Sequence, residues 1–397
     1  MQPIQITAYT ASNSAGIGNR RLLKALQADA SGLAVNDFNE LPTYIGRVRE
    51  LDNYSLGAQY RDLDCRNNHL ADLCLRQDGF EEQVSELRQA VGATRLGLFL
   101  GTSTSGIYDF EQAYVNQGSG EEGTRAPLNP GVPYMGTVSN YSLVDFVSRR
   151  LAITGPQFCV STACSSSAKV FAMAQRMLEA GWIDGAVVGG VDSLCNSTLY
   201  GFNSLSLISS HPCRPGGLGR DGINIGEGGG FMLLQRCESP EQGPLCLLGV
   251  GESSDAYHIS SPHPAGDGAV SSMTQALDSA GLQATDIDYI NLHGTATPVN
   301  DAVEALAVSR VFAPAPLCSS TKGWTGHTLG AAGITEAVIC ALAIEKELVP
   351  GSLNRGTLDP ELPIAVVDAT RKGNPRRALS NSFGFGGNNC SLILGRP

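Results

Sequence analysis

The chain has 397 residues, 47 of them glycine, with 42% hydrophobic and only 6% aromatic residues and a formal net charge of −11. That acidity excludes a general nucleic-acid binder, since a polyanion needs a basic surface, and no apolar run is long enough to span a membrane. The length allows two or three domains around a large core.

In chain order, residues 1–7 carry neither a basic region nor a long apolar stretch and read as a first strand, not a signal peptide. Residues 95–100 read as a strand followed by a glycine-rich turn at 101–106. Residues 158–161 read as a short buried strand and 165–180 as a helix, with Val170, Ala174, Met177 and Leu178 at helical spacing. Residues 185–191 are expected to form another buried strand, and 226–230 a turn before a strand at 231–234. From 244–250 the pattern restarts: strand, loop, helix (271–280), strand (287–292), helix (331–342) and last strand (391–394). The alternation predicts an α/β protein of two similar halves, 1–244 and 245–397.

Eleven cysteines, an odd number without CxxC pairs, point to free thiols in a reducing, cytoplasmic setting. Most, including Cys159, Cys340 and Cys390, lie in apolar runs and read as small core residues. Cys164 differs. It follows an apolar strand and precedes three serines that open a helix, whose N-terminus carries about half a positive charge. Thiols so placed drop from ~8.5 to between ~3.5 and ~7.5. Taken alone, the segment also suits a buried cysteine beneath a serine-rich cap.

His293 follows the apolar strand at 287–292, and strand ends are where α/β enzymes place their sites. The hydroxyls of Thr295 and Thr297 suit the amides of a long polar chain, and Asn300, Asp301 and Glu304 begin a helix. His327 lies in a Gly-rich loop, with Lys322 and Glu336 near enough in sequence to orient it. Each histidine alone would pass for a core or loop residue. One thiol with two imidazoles is a constellation for covalent acyl chemistry, and a junction between halves is a common place for a pocket. Zinc is the rival use, but close-set ligand pairs are lacking and no metal is expected. His211, His258 and His263 have weaker contexts, and His69 reads as a surface or helix residue. The glycines at 226–230 and 384–389 match neither GxGxxG nor a P-loop. The second stretch reads either as a tight turn or as a mobile loop that presents a backbone N–H.

On residues 162–166 (TACSS), Arg214-Pro215, 220–222, 226–228, 293–297 with Asn300, Asp301 and Glu304, Lys322, 326–327, 330–333 and 381–387 (NSFGFGG), the chain resembles the elongating β-ketoacyl-acyl carrier protein synthases of fatty-acid and type II polyketide synthesis. The likeness runs over nearly the whole length. It implies a thiolase-like fold, two related α/β halves in five alternating layers, usually dimeric, and condensation of an acyl thioester with a malonyl-carrier. It implies that Cys164 accepts the acyl chain, that the N–H groups of Cys164 and Phe385 form an oxyanion hole, and that His293 and His327 drive decarboxylation. Lys322 and Glu336 would support His327. Thr295 and Thr297 would bind the phosphopantetheine arm, Phe383 and Phe385 would belong to a gating loop, and Asp255 would anchor a second moving loop. The turn at 101–107, with Thr104, would wall the acyl pocket.

No cofactor is expected. The implied partners are an acidic acyl carrier protein with its phosphopantetheine arm, and either a second copy of this chain or a chain-length factor. Arg61 and Arg66 are the candidates for carrier docking. The chain departs from the family pattern at Ser161, at Gly216-Gly217, at Ala296, and at Ile223-Asn224, where Phe-Val is usual. Residues 201–205, 254–262 and Asn388-Asn389 are similar to the synthases of aryl polyene pigment clusters. A non-catalytic partner would lack the cysteine. A thiolase would carry a second cysteine in the C-terminal loop, where this chain has Phe383-Gly384-Phe385.

Overall fold

A computed structural model describes residues 2–116 and 133–397. Ten strands carry the architecture: β1 (Ile4–Asn13), β2 (Leu96–Gly101), β3 (Gln157–Val160), β4 (Gly185–Asp192), β5 (Gly228–Arg236), β6 (Cys246–Ser254), β7 (Tyr289–Asn291), β8 (Leu317–Ser319), β9 (Arg377–Gly384) and β10 (Asn388–Gly395). The first five lie side by side in the order β3-β2-β4-β5-β1, and the second five in the order β8-β7-β9-β10-β6. Both sets therefore run third-second-fourth-fifth-first. In both, the first two ladders are parallel and the next two antiparallel. Strands β1 and β6 join the sets through Ile4↔Leu247 and Gln5↔Cys246.

The helices that cover the strands are α1 (Arg66–Leu75), α2 (Phe80–Val91), α3 (Tyr141–Leu151), α4 (Ser166–Glu179), α5 (Asp267–Ala280), α6 (Pro298–Val311) and α7 (Ala332–Glu345). Helices α4 and α7 pack on each other between the two strand sets: α4 meets β2 and β4 on one side and β6 and β10 on the other, and α7 meets β5 and β1 as well as β9 and β10. Every residue of α7 but the last is buried, as an all-round apolar helix must be in an aqueous protein. Helices α1 to α3 cover the far face of the first set, and α5 and α6 that of the second. The result is the expected five-layer, thiolase-like arrangement.

Two local expectations give way. Residues 228–230 belong to strand β5, not to a turn, because their small size admits α7: a Cβ on Gly230 would lie 3.1 Å from the Ile334 side chain. Strand β3 is an edge strand, so Phe158 stands 42% exposed and Cys159 is only half-buried instead of sitting in the core. All eleven cysteines are free thiols.

Candidate active site

Cys164 and His293 sit just beyond strands, and His327 lies past the short helix Lys322–Thr325 that follows β8. After β3 the chain turns through Ala163, whose φ of +51° is a left-handed conformation that costs a residue with a Cβ about 1–2 kcal/mol. The serines hold this turn: Ser165 Oγ donates to the Thr162 carbonyl (2.9 Å) and Ser166 Oγ to the Ala163 carbonyl (2.6 Å). Cys164 is thereby lifted into the space above the sheet.

Beyond β7, the N–H groups of His293 and Gly294 each donate to the Glu304 carboxylate of α6 at 2.8 Å, and Asn381 Nδ2 donates to the same carboxylate at 3.1 Å. Beyond β8, the backbone of His327 is gripped by residues 224–226. Its N–H donates to the Asn224 carbonyl (2.7 Å), and its carbonyl accepts from the Gly226 N–H (3.0 Å).

These anchors bring the three expected groups together. His327 Nε2 lies 2.9 Å from Cys164 Sγ. The two imidazole rings meet edge-on, centroids 5.4 Å apart, and the ligating atoms of all three residues lie within 4.8 Å of one another. Lys322 Nζ donates to the His293 carbonyl (2.5 Å) and to Glu336, and both side chains are buried. Lys322 thus clamps the backbone of His293, where support of His327 was expected.

A cavity of about 200 Å³ opens onto this trio, lined also by Thr295, Thr297, Asp255, Phe383 and Phe385. The Thr295 and Thr297 hydroxyls pair at 2.9 Å. The Phe385 N–H points at the Cys164 sulfur. The Phe385 ring rests on Phe202 at 5.5 Å, and that of Phe383 lies 5.9 Å from His293. Asp255 accepts from Asn389 Nδ2 (2.7 Å) and from the His263 N–H (3.1 Å), while its own N–H donates to the Gly387 carbonyl (2.9 Å). The turn at 385–387 and the loop following β6 are therefore latched together.

Two expected residues lie elsewhere. Thr104 does not line the cavity. Its hydroxyl is drawn onto the fully buried Asp192 carboxylate (2.9 Å), which also takes the Thr102 hydroxyl (2.7 Å) and the Gly330 N–H (2.6 Å). Arg66 is not a surface cation. It makes a two-pronged pair with the buried Glu227 carboxylate at 2.9 and 2.6 Å, and its side chain is 7% exposed. Arg61 is exposed on a short helical turn.

Burial pushes the Cys164 thiol up to about 12, although the Lys322 charge and the Phe385 N–H pull it down. This is the reverse of the direction expected from the helix N-terminus alone. Burial and then the Lys322 charge hold both imidazoles well below the ordinary histidine range, so they are neutral at pH 7. Among the described residues, Nδ1 of neither buried ring has a hydrogen-bond partner. A proton there would be stranded, so the tautomer with Nε2–H is favoured. The three donor atoms also lie close enough together to be weighed as metal ligands. The buried Lys322 ammonium, whose charge reaches both rings and the sulfur, opposes a second cation there.

A cysteine and two neutral imidazoles thus share one enclosed chamber beneath two latched loops, on a thiolase-like scaffold. Comparison with known proteins agrees: residues 71–239 match the beta-ketoacyl synthase N-terminal domain and 246–355 its C-terminal domain. The chain is 33% identical over 316 residues to 3-oxoacyl-[acyl-carrier-protein] synthase 2 of Staphylococcus aureus, covering 76% of this chain and 75% of that protein. It is 39% identical over 269 residues to the mitochondrial 3-oxoacyl-[acyl-carrier-protein] synthase of Arabidopsis thaliana, covering 62% of this chain but only 58% of that protein. The solved ketosynthase ApeO in complex with its chain length factor ApeC, from Xenorhabdus doucetiae, superposes with a TM-score of 0.89 at 36% identity, covering 100% of this chain and 98% of that one. The chain belongs to the β-ketoacyl synthase family.

Glu304, Asn381 and Phe202 hold tasks that the sequence pattern does not assign: the first two fix the His293 loop and the third backs the Phe385 ring. Asn381 stands between Ser380 and Ser382 in β9, so nothing in the local pattern marks it out.

Proposed function

We propose that this protein condenses an acyl group carried on Cys164 with a malonyl-acyl carrier protein, giving 3-oxoacyl-carrier and CO₂. The observation that carries the reading is the 2.9 Å approach of His327 Nε2 to Cys164 Sγ, with His293 in the same enclosed chamber. In the first stage the sulfur attacks the incoming thioester carbonyl, and the N–H groups of Cys164 and Phe385 hold the oxyanion. The proton lost by Cys164 ends on the departing carrier thiol, so the exchange is neutral. In the second stage malonyl-carrier enters along Thr295 and Thr297, and CO₂ leaves. The enolate oxygen takes hydrogen bonds from His293 and His327. The enolate carbon then attacks the acyl-Cys164 carbonyl and the cysteine departs as thiolate, to be reprotonated from solvent. Donors that act only as the charge grows are typically worth about 10²–10³ each in rate. Lys322 and Glu336 fix the His293 segment, while Phe383, Phe385 and Asp255 gate the chamber.

The halves 1–244 and 245–397 supply the thiol and the imidazoles respectively. The exposed side chains of Phe158, on the edge strand β3, and of Tyr141, Tyr134, Met135 and Trp182 suit a second thiolase-like chain. That chain is either another copy or a chain-length factor, as in the Xenorhabdus complex. A specialised polyene pathway and a cytoplasmic location fit this reading, and Arg61 remains the candidate contact for the carrier. Among the described residues no helix is long and apolar enough to cross a membrane. Intact-mass analysis after incubation with a panel of acyl-carrier proteins tests the assignment. Wild type should gain one acyl group, and Cys164→Ala none while retaining malonyl decarboxylation. Acyl loading that persists in Cys164→Ala would overturn it.

A further inference from the structure

We infer that Asn224 is a positioning residue for His327, acting through the peptide it anchors; this rests on the condensing reaction proposed above. Ile223 and Asn224 stand where the family resemblance leads one to expect Phe-Val. Ile223 turns its side chain to the cavity. Asn224 is fully buried and turns its amide the other way. The Nδ2 group is shared among the His211 carbonyl (3.1 Å), the Ser209 carbonyl (3.3 Å) and the Thr43 hydroxyl (3.4 Å), and Oδ1 accepts the Cys213 N–H at 2.6 Å. Thr43 in turn donates to the Ser209 carbonyl at 2.6 Å. One side chain thus stitches the 209–213 loop to Thr43.

The main chain of the same residue faces the catalytic side. Its carbonyl takes the His327 N–H at 2.7 Å, and Ile225 forms a parallel bridge with His327. The loop after Lys322 reaches its place only if this peptide is fixed. A valine at 224 would leave the Cys213 N–H and the facing oxygens buried without their amide partner, a state that buried polar groups avoid by shifting. Any such shift is passed to the imidazole 2.9 Å from the reactive sulfur. A misplacement of about 1 Å is enough to cost about 10²-fold in rate.

The test is a double-mutant cycle on decarboxylation of malonyl-carrier, with rates normalised to the Cys164 titrated by an alkylating agent. Asn224→Val should lower kcat by about tenfold or more with KM unchanged, and leave acyl loading of Cys164 within about threefold of wild type. Added to His327→Ala, it should lower the rate no further, because its effect runs through the ring already removed. A loss that adds to that of His327→Ala, or a variant that decarboxylates like wild type, overturns the inference. If Asn224→Val fails to fold, Asn224→Ser, smaller and still able to hydrogen-bond, carries the same cycle. A wild-type protein that neither loads nor decarboxylates would instead refute the underlying reaction.

Discussion

Glu304→Gln should gain stability relative to wild type as the pH rises, and should be less active. The Glu304 carboxylate is buried beneath the His293 loop, and burial raises it to about 7 from 4.5, even though three N–H groups point at it. A folded-state value above the unfolded one means that the native protein holds this proton longer. The associated stability is full below the unfolded value and is lost as the pH rises towards about 7. Glutamine mimics the neutral acid and does not titrate. Between about pH 5.5 and pH 8.5 the wild type crosses roughly 1.5 units of this window at about 1.4 kcal/mol per unit. The variant should therefore gain about 2 kcal/mol relative to wild type over that interval. Urea unfolding at the two pH values, followed by tryptophan fluorescence, measures the gap. The same variant should release CO₂ from malonyl-carrier about tenfold more slowly, since its amide can pair only some of the donors that hold the His293 loop. A gap that stays constant with pH, or a variant that loses ground as pH rises, would refute the reasoning.

Because burial and Lys322 keep both imidazoles neutral, the ring nitrogens of His293 and His327 should keep the NMR shifts of neutral imidazole as pH falls from about 8 to about 6; conversion to the imidazolium shifts at the ordinary histidine value of about 6.5 would contradict it. Because burial raises the Cys164 thiol, its alkylation rate should keep climbing beyond about pH 9, whereas a plateau near neutrality would restore the lowered value expected from the helix start. Gly387 has φ +74°, and a Cβ there would lie 2.8 Å from the Asp255 Cβ. Gly387→Ala should therefore pry apart the latched loops and lower kcat/KM for carrier substrates about tenfold, and unchanged steady-state kinetics would remove the latch from the mechanism. Arg66→Ala leaves the buried Glu227 unpaired and should cost about 3–5 kcal/mol in unfolding free energy. Arg61→Glu should instead raise KM for carrier-bound thioesters and spare small ones, and equal effects on both substrates would discard Arg61 as a docking contact.

Much of the scaffold could be read from residue pattern. The uninterrupted apolar run of β4 and the all-round apolar α7 leave no option but burial between covering layers. The reactive trio was legible because Cys164 and His293 each follow a strand, His327 lies in a Gly-rich loop, and all three are ringed by small residues. What escaped were properties set by neighbours remote in the chain. Residues 228–230 look like a turn until α7 is laid against them. Phe158 looks buried until β3 proves to be the last strand of its row. Arg66 looks solvated until Glu227, 161 positions away, meets it. Thr104 looks like a pocket wall until Asp192 claims its hydroxyl. Cys164 shows its helix start in the sequence but not the depth at which it lies, and depth decides the sign of its shift.

Strands β1 and β6 are zipped to one another, and α4 and α7 are wedged jointly between both rows. An intermediate with one row intact and the other loose would bare the greasy flank of a helix that both rows share, and should not accumulate. Heat inactivation and global melting should then trace a single curve. A polypeptide severed near residue 245 would regain turnover only when the two fragments are refolded in each other's company.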